Sequence, residues 1–172
     1  LNDLTEEFMY VRANLDTNSD FELALLPVTG KLFKHTVENS IVGEGANASI
    51  KGFALGDDDQ HFDFVTIQDH IGEKSTSHVD IRSALGDSSR NVYYGITRVE
   101  ESAFDAEAEQ SNRNLLLSSN AKADSDPVLE ILTSHVIKCG HAATVGPLDN
   151  DAIYYLQSRG LSMKEATKLL VS

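Results

Sequence analysis

The sequence predicts an all-β body that is followed by a short pair of α-helices. Short apolar or alternating runs recur before residue 148, and turns rich in glycine, aspartate and serine separate them. The centres of these runs lie roughly 12 to 20 residues apart, a spacing typical of β-sandwiches, barrels and solenoids. No strict sequence repeat is visible, so the residues alone leave a β-sandwich and a β-solenoid about equally open.

The strands can be placed by period-two alternation, in which one face of a strand is buried. In one run, Val79 and Ile81 are expected to face inward, and Asp80 and Arg82 to face outward. Pro27 indicates that the second strand is an edge strand or ends there, because proline is excluded from central strands. In chain order, the expected strands lie at 8–11, 21–26, 49–55, 62–67, 78–82, 92–97, 114–117 and 128–132, and the expected turns at 43–45, 56–59, 86–89 and 123–127. The acidic stretch 100–109 is expected to be a solvated loop.

The helical pair is predicted from capping residues. Asp149 or Asn150 can cap a helix that runs through 152–156 and stops at Gly160. Ser162 and Glu165 form the S-x-x-E capping box of a second helix. We therefore expect a β core over residues 1–147 and a C-terminal helical segment over 148–172. The segment is too short to fold alone, so it must pack on the body or on a partner.

Charge and composition exclude several classes of function. The 172 residues carry 14 lysines and arginines against 27 aspartates and glutamates, a net charge of −13. Such a chain repels phosphate, so we expect neither nucleic acid nor an anionic membrane as a partner. One cysteine cannot form an internal disulfide, which favours a reducing compartment. No apolar run reaches the roughly 18 residues of a membrane span, so we expect a cytoplasmic protein.

The sharpest local feature is the run Ile137-Lys138-Cys139-Gly140-His141. In an extended strand, Cys139 and His141 share a face, and a thiolate with an imidazole suits zinc, copper or an iron–sulfur species. Two ligands do not close a metal site, so another chain or coil would have to supply the rest. The alternative is packing, because buried cysteine behaves as a small hydrophobe and Ile137, on the same face by parity, is expected to point inward.

Enzymatic motifs are missing from the sequence. It contains no nucleophile elbow, P-loop, G-x-G-x-x-G or H-E-x-x-H pattern. A carbohydrate-active β-helix enzyme would need convergent carboxylates. The strongest acidic cluster, Asp57-Asp58-Asp59, is better explained as a solvated turn.

Several short sequence segments together resemble those of a known protein family. These are Ser88–Gly95, Gln110–Ser118, Pro127–Ile131, Lys138–Gly146 and Tyr154–Gly160. In this order they are similar to the SufB/SufD family of the SUF iron–sulfur cluster assembly system, from about residue 40 to the C-terminus. Asn112 stands where the SufB branch carries its functional cysteine, so the resemblance is to the SufD branch. Family members are longer and carry an N-terminal helical region, which implies that this chain is a core fragment.

The resemblance implies a fold, a function and partners. The family core is a right-handed parallel β-helix, and its members are non-catalytic subunits of a SufBCD-type complex. The C-terminal helices dock a SufC-type ABC ATPase, which hydrolyses the ATP. We assign this docking to five apolar side chains of the helical pair, namely Ile153, Tyr154, Leu156, Leu169 and Leu170.

The β-helix pairs with a SufB-type scaffold subunit, and a homodimer is a further possibility. His141 matches the histidine proposed to hold the nascent iron–sulfur cluster, with Cys139 beside it. The cluster is transient and shared with the partner, so we expect no cofactor in the isolated chain. The alternative is a structural adaptor that links the ATPase to the scaffold without a cluster ligand.

Overall fold

The body of the protein is built from strands alone, and two helices follow it. A computed structural model of the chain describes residues 4–28 and 30–171. The strands are β1 (Glu6–Leu15), β2 (Asp20–Leu25), β3 (Leu32–Ile41), β4 (Asn47–Gly56), β5 (His61–His70), β6 (Thr76–Leu85), β7 (Arg90–Val99), β8 (Ala106–Leu116), β9 (Lys122–Ile131) and β10 (Val136–Pro147). The helices are α1 (Asn150–Ser158) and α2 (Met163–Val171).

The strands wind into a parallel β-solenoid of about five turns. Odd-numbered strands form one sheet in the order β1-β3-β5-β7-β9, and even-numbered strands form the other in the order β10-β8-β6-β4-β2. Neighbouring strands pair in parallel, and a coil takes 29 residues between Leu32 and its partner His61. The prediction of a parallel β-helix with a C-terminal helical pair is therefore confirmed, and the sandwich is excluded.

Three local expectations were wrong. The strand β3 was not predicted, since polar His35 and Asn39 occupy two of its interior positions and blur the alternation. The turn expected at 123–127 lies within β9, where Pro127 is accommodated because β9 is an edge strand. The loop expected at 100–109 ends at residue 105, and β8 starts at Ala106.

The core lies between the two sheets and is aromatic on one side. Phe33 and Phe62 stack with parallel rings 5.3 Å apart, and the ring of Phe64 meets that of His35 edge-on at 5.8 Å. Each such aromatic contact adds about 1 kcal/mol beyond the apolar area that it buries. Stacking of equivalent side chains on successive coils therefore stabilises the register.

Further along the coils the interior becomes polar, and its side chains bond to one another. The Tyr93 hydroxyl lies 2.9 Å from Thr66 Oγ1, and Thr97 donates to Gln110 Oε1 at 2.9 Å. Asn91 Nδ2 donates to Asn114 Oδ1 at 2.8 Å. Buried polar groups need such partners, because an unpaired one costs about 1 to 3 kcal/mol.

One buried interior histidine is held between two serines. His70 Nδ1 lies 2.8 Å from Ser75 Oγ, and His70 Nε2 lies 2.7 Å from Ser77 Oγ. The ring is fully buried, and this burial lowers the pKa of His70 from 6.5 to about 4. The histidine is therefore neutral in the folded protein at physiological pH.

This histidine is expected to make the fold sensitive to acid. The unfolded chain binds the His70 proton below about pH 6.5, whereas the folded chain binds it only near pH 4. Stability is complete above pH 6.5 and should fall as the pH drops towards 4, by about 3 kcal/mol in all. Urea unfolding at about pH 7 and about pH 5 measures the fall, which should be smaller in His70→Gln. An equal fall in both proteins would contradict this origin.

The two helices end the chain with the predicted caps. Asp149 Oδ1 accepts the Asp151 amide at 2.9 Å at the start of α1, and Gly160 follows that helix with a φ of 94°. Ser162 and Glu165 form the predicted capping box, in which the Ser162 amide donates to Glu165 Oε2 at 2.8 Å. Among the described residues, no helix is long and apolar enough to cross a bilayer.

Candidate functional site at the terminal coil

The solenoid ends in a coil with an open face. We call β9 and β10 the terminal coil, since each is the last strand of its sheet at the same end of the solenoid. Each therefore has one pairing neighbour, β7 for β9 and β8 for β10. Their outer edges present unpaired backbone N–H and C=O groups, which can pair with another chain.

Cys139 and His141 lie on the interior face of this coil. Cys139 is in register with Ala108 and His141 with Gln110, and both of those β8 residues are buried. Registered residues of parallel strands point to the same side, so the predicted common face of Cys139 and His141 is present. Because no other strand of residues 4–28 and 30–171 covers them, His141 is exposed and Cys139 is half-buried.

One expectation about this strand was wrong. Ile137 does not share the interior face, because the register shifts between Val136 and Lys138 and leaves Ile137 exposed. Val136 takes the interior position instead and packs against the same apolar cluster as Cys139. Gly140 does not interrupt the strand, since β10 continues through it to Pro147. The exposure of His141 comes from its place at the end of the solenoid.

The two candidate ligands differ in their surroundings. Cys139 packs against a small apolar cluster of Val99, Ala103 and Ala106. This burial raises the pKa of the Cys139 thiol, so the protonated form is favoured at neutral pH. A metal is bound by thiolate and not by thiol, so the imidazole of His141 is the more accessible ligand of the pair.

Cys139 and His141 do not form a complete metal site by themselves. Within residues 4–28 and 30–171, three or more potential ligand atoms converge only in the exposed turn group of Asp57, Asp58 and Asp87. Asp57 and Asp58 belong to the turn expected at 56–59. Iron–sulfur clusters are usually held by several thiolates. Any cluster bound at His141 would therefore need ligands from another chain.

The open face also carries apolar side chains that sequence reasoning missed. On β9, Leu129 and Ile131 are in register with the buried Thr97 and Val99, which places them on the interior face. On β10, Val145 occupies an interior position and is 46% exposed. Alternation predicted β9 as a strand, but only the coil order shows that its inner face is uncovered.

On the outer face of β10, a charged side chain forms an ion pair with the neighbouring strand β8. Lys138 forms an ion pair with Glu109 of β8 and lowers the pKa of that carboxyl by its hydrogen bond. His78 of β6 lies on the other side of Glu109, with its Nδ1 3.7 Å from Oε2. The outer face of the sheet therefore carries a charged group of Lys138, Glu109 and His78 at this point.

Asn112 is placed inside the solenoid, one coil before the end. It is fully buried, donates to Ile81 O at 3.1 Å and accepts from Asn114 Nδ2 at 2.6 Å. It is in register with Ala143, two residues beyond His141. A neutral amide at this position takes part in the interior hydrogen bonds and offers no thiolate.

The five residues assigned to ATPase docking lie in two different environments. Ile153 is buried, and Leu156 and Leu170 are half-buried against the body. Tyr154 is 75% exposed and Leu169 is 56% exposed. An incoming protein can therefore reach Tyr154 and Leu169 directly, whereas Ile153 helps to hold the helices.

Comparison with known proteins identifies the family. A family model described as "SUF system FeS cluster assembly, SufBD core domain" matches residues 2–172. The chain is 31% identical over 156 residues to the iron–sulfur cluster assembly protein SufD of Bacillus subtilis, a match that covers 91% of this chain and 35% of that protein. It is 30% identical over 142 residues to the SufD of Escherichia coli, covering 83% of this chain and 33% of that protein.

The chain spans about a third of the length of these relatives. The family match nonetheless includes both the solenoid and the terminal coil with its Cys-x-His run. The chain belongs to the SufB/SufD family of the SUF iron–sulfur cluster assembly system.

Proposed function

We propose that this chain is a non-catalytic scaffold subunit that helps to assemble and transfer an iron–sulfur cluster. The terminal coil would dock a SufB-type subunit, and His141 would supply one ligand to a nascent cluster shared with that partner's thiolates. The observation that carries the proposal is the position of His141, on the interior face of the last coil and yet exposed.

The geometry of the open end supports docking by a second scaffold subunit. Two unpaired strand edges flank an interior face on which Ile131 and Val145 are exposed. Pairing of backbone edges with burial of apolar side chains is a common mode of strand-mediated association. A second copy of this chain could occupy the same edges, so a homodimer belongs to the proposal as an alternative to the SufB-type pair.

A shared histidine ligand suits a cluster that is assembled and handed on. Substituting histidine for thiolate raises the reduction potential of an iron–sulfur cluster. One accessible imidazole and one protonated thiol are too few to retain a cluster, so we expect no bound metal in the isolated chain. The cluster is cargo here and not a resident cofactor.

The helical pair would connect this scaffold to the ATPase. Tyr154 and Leu169 present exposed apolar surface on consecutive helices. Exposed aromatic anchors of this kind often dominate the binding energy of an interface. We propose that a SufC-type ABC ATPase docks there and hydrolyses ATP, so that this chain has no enzymatic activity of its own. The site of action would be the cytoplasm.

Loading the assembled complex with iron and sulfide tests the role of His141. Under anaerobic conditions, this chain with a SufB-type partner should take up iron and develop visible charge-transfer absorbance. The His141→Ala complex should retain iron about tenfold or more weakly, since even indirect partners of metal ligands contribute 10- to 100-fold. Iron per complex and absorbance are the readouts, and size-exclusion chromatography checks that the complex forms.

Thr144→Ala is the matched control. It shortens an exposed side chain on the outer face of the same strand, away from the interior face proposed to dock the partner, and should leave loading unchanged. Equal loading of the native and His141→Ala complexes would contradict the ligand role. In that case the chain would be a structural adaptor that links the ATPase to the scaffold, the second function considered. An adaptor needs no metal ligands, and among the described residues no third potential ligand lies beside Cys139 and His141.

A further inference from the structure

An apolar groove runs between the body and the last helix, away from the terminal coil. Phe53 and Leu55 lie on the outer face of β4, 36% and 56% exposed, and they alternate with buried Ala54. Leu117 and Val171 complete the apolar lining of a cavity of about 610 Å³. We call this cavity, with its lining residues, the α2 groove.

The apolar floor is unusual for the sheet on which it lies. Outer positions of the neighbouring strands are mostly polar, as with Asp80 of β6 and Glu109 of β8. Helix α2 packs beside the groove without filling it, since Leu55 remains more than half exposed. Exposed apolar surface with a polar rim is typical of a protein interaction site.

Among the residues that the structure describes, every charged side chain that lines the groove is a cation. Lys164 and Lys168 stand one helical turn apart on α2 beside the apolar floor. Phe53 and Val171 also line a second hollow, which extends the groove towards Arg82 and Arg113. The groove therefore gathers four of the 14 lysines and arginines of a chain whose net charge is −13.

These cations are largely free to bind a ligand. Arg82 is engaged by Asp80, with its Nη2 2.8 Å from Oδ2. In the part of the chain that the structure describes, no ion pair is formed by Lys164, Lys168 or Arg113. Three cations around one apolar floor create a positive local potential, which attracts an acidic partner and opposes a basic one.

We propose that the α2 groove binds an acidic amphipathic segment of a partner protein. Apolar side chains of that segment would cover Phe53 and Leu55, and flanking aspartates or glutamates would reach Lys164 and Lys168. Nucleic acid fits less well, because its charged phosphate backbone would leave the apolar floor of the groove uncovered. Neither Tyr154 nor Leu169, the exposed part of the proposed ATPase surface, lines the groove, and Leu170 borders only its second hollow. The proposal therefore goes beyond the function proposed above.

A pair of synthetic peptides tests this proposal. The probe is a fluorescein-labelled peptide of about 14 residues with leucine at i, i+3, i+4 and i+7 and glutamate elsewhere, the pattern of an amphipathic helix. The matched probe has lysine in place of glutamate. Fluorescence anisotropy should show that the glutamate peptide binds, that the lysine peptide does not, and that added salt weakens binding.

Charge reversal on α2 locates the binding site. The double variant Lys164→Glu with Lys168→Glu should weaken binding of the glutamate peptide about tenfold or more and allow the lysine peptide to bind. The control is Lys31→Glu with Lys122→Glu, which changes the net charge equally and lies outside the groove. That control should retain binding of the glutamate peptide.

Three results would overturn the proposal. The first is that the two peptides bind equally well, or that neither peptide binds. The second is glutamate-peptide binding that ignores reversal at Lys164 and Lys168. The third is a different occupant of the groove. Self-association that is lost in the Lys164→Glu, Lys168→Glu variant would assign the groove to a second copy of this chain. Co-flotation with phosphatidylglycerol vesicles in place of peptide binding would assign it to an anionic membrane.

Discussion

Gly72→Ala is expected to lower the free energy of unfolding by about 3 kcal/mol, the upper end of the usual cost of overpacking. Gly72 lies in the turn between β5 and β6, where it is stacked closely on the preceding coil. A Cβ on Gly72 would lie 2.4 Å from Gly43 O and 2.6 Å from Val42 O. Both atoms belong to the backbone of the preceding coil, so the two coils would have to separate.

The cause of this effect is steric and not conformational. The backbone of Gly72 does not adopt a positive φ, so alanine could take its local conformation. In a chain of this length, about 3 kcal/mol corresponds to a fall in Tm of roughly 6 to 12 °C. Urea unfolding and thermal melting followed by circular dichroism measure the two quantities.

Gly146→Ala is the matched control. Gly146 lies in β10, and a Cβ there would meet no atom within 4 Å. Its replacement should change stability by less than about 0.5 kcal/mol. If Gly72→Ala were as stable as Gly146→Ala, the close stacking of the turns would not be a determinant of stability.

Replacing Tyr154 and Leu169 together by alanine should weaken binding of a SufC-type ATPase by about 30-fold or more. That factor corresponds to about 2 kcal/mol, the threshold for a dominant interface residue. Both side chains are exposed and alanine favours helix, so α1 and α2 should remain folded. Isothermal titration calorimetry with the purified ATPase gives the affinity, and circular dichroism verifies the helices.

The charge-reversed α2 variant separates this surface from the groove. Lys164→Glu with Lys168→Glu should leave ATPase affinity within about twofold, because it spares Tyr154 and Leu169. Loss of ATPase binding in that variant, with retention in the alanine pair, would show that the ATPase occupies the groove. The docking assignment at Tyr154 and Leu169 would then be wrong.

The strands and helices could be predicted where a few consecutive residues carry the signal, either by alternation of apolar and polar side chains or by a helix cap. The alternation is clear in β5 and β6 because apolar residues occupy successive interior positions there, as at Phe62 and Phe64 or at Val79 and Ile81. Helix caps are also local, and Asp149 and Ser162 were identified for that reason. The strand β3 was missed since His35 is buried inside the solenoid, where only contacts with other coils make a polar side chain acceptable.

The coil repeat and the exposure of the site could not be predicted from local patterns. The coils differ in length, from 26 residues between Glu6 and Leu32 to 32 between Arg90 and Lys122, and equivalent positions hold residues as different as His35 and Phe64. The common face of Cys139 and His141 followed from period two. Their accessibility depends on β10 being the last strand of its sheet, which is a property of the whole topology. The displaced Ile137 likewise reflects a register shift that alternation does not reveal.

The order of the coils also determines how the molecule opens. In a solenoid each unit touches only the units beside it, so stability is a sum of intrinsic terms and nearest-neighbour interfaces. An internal strand such as β6 has two such interfaces, whereas β10 has one. Unfolding excursions therefore involve β10 more readily than β6, and the unit that carries His141 frays before the internal coils. A partner that pairs with β10 supplies the missing neighbour, so association and local folding of this coil are thermodynamically coupled.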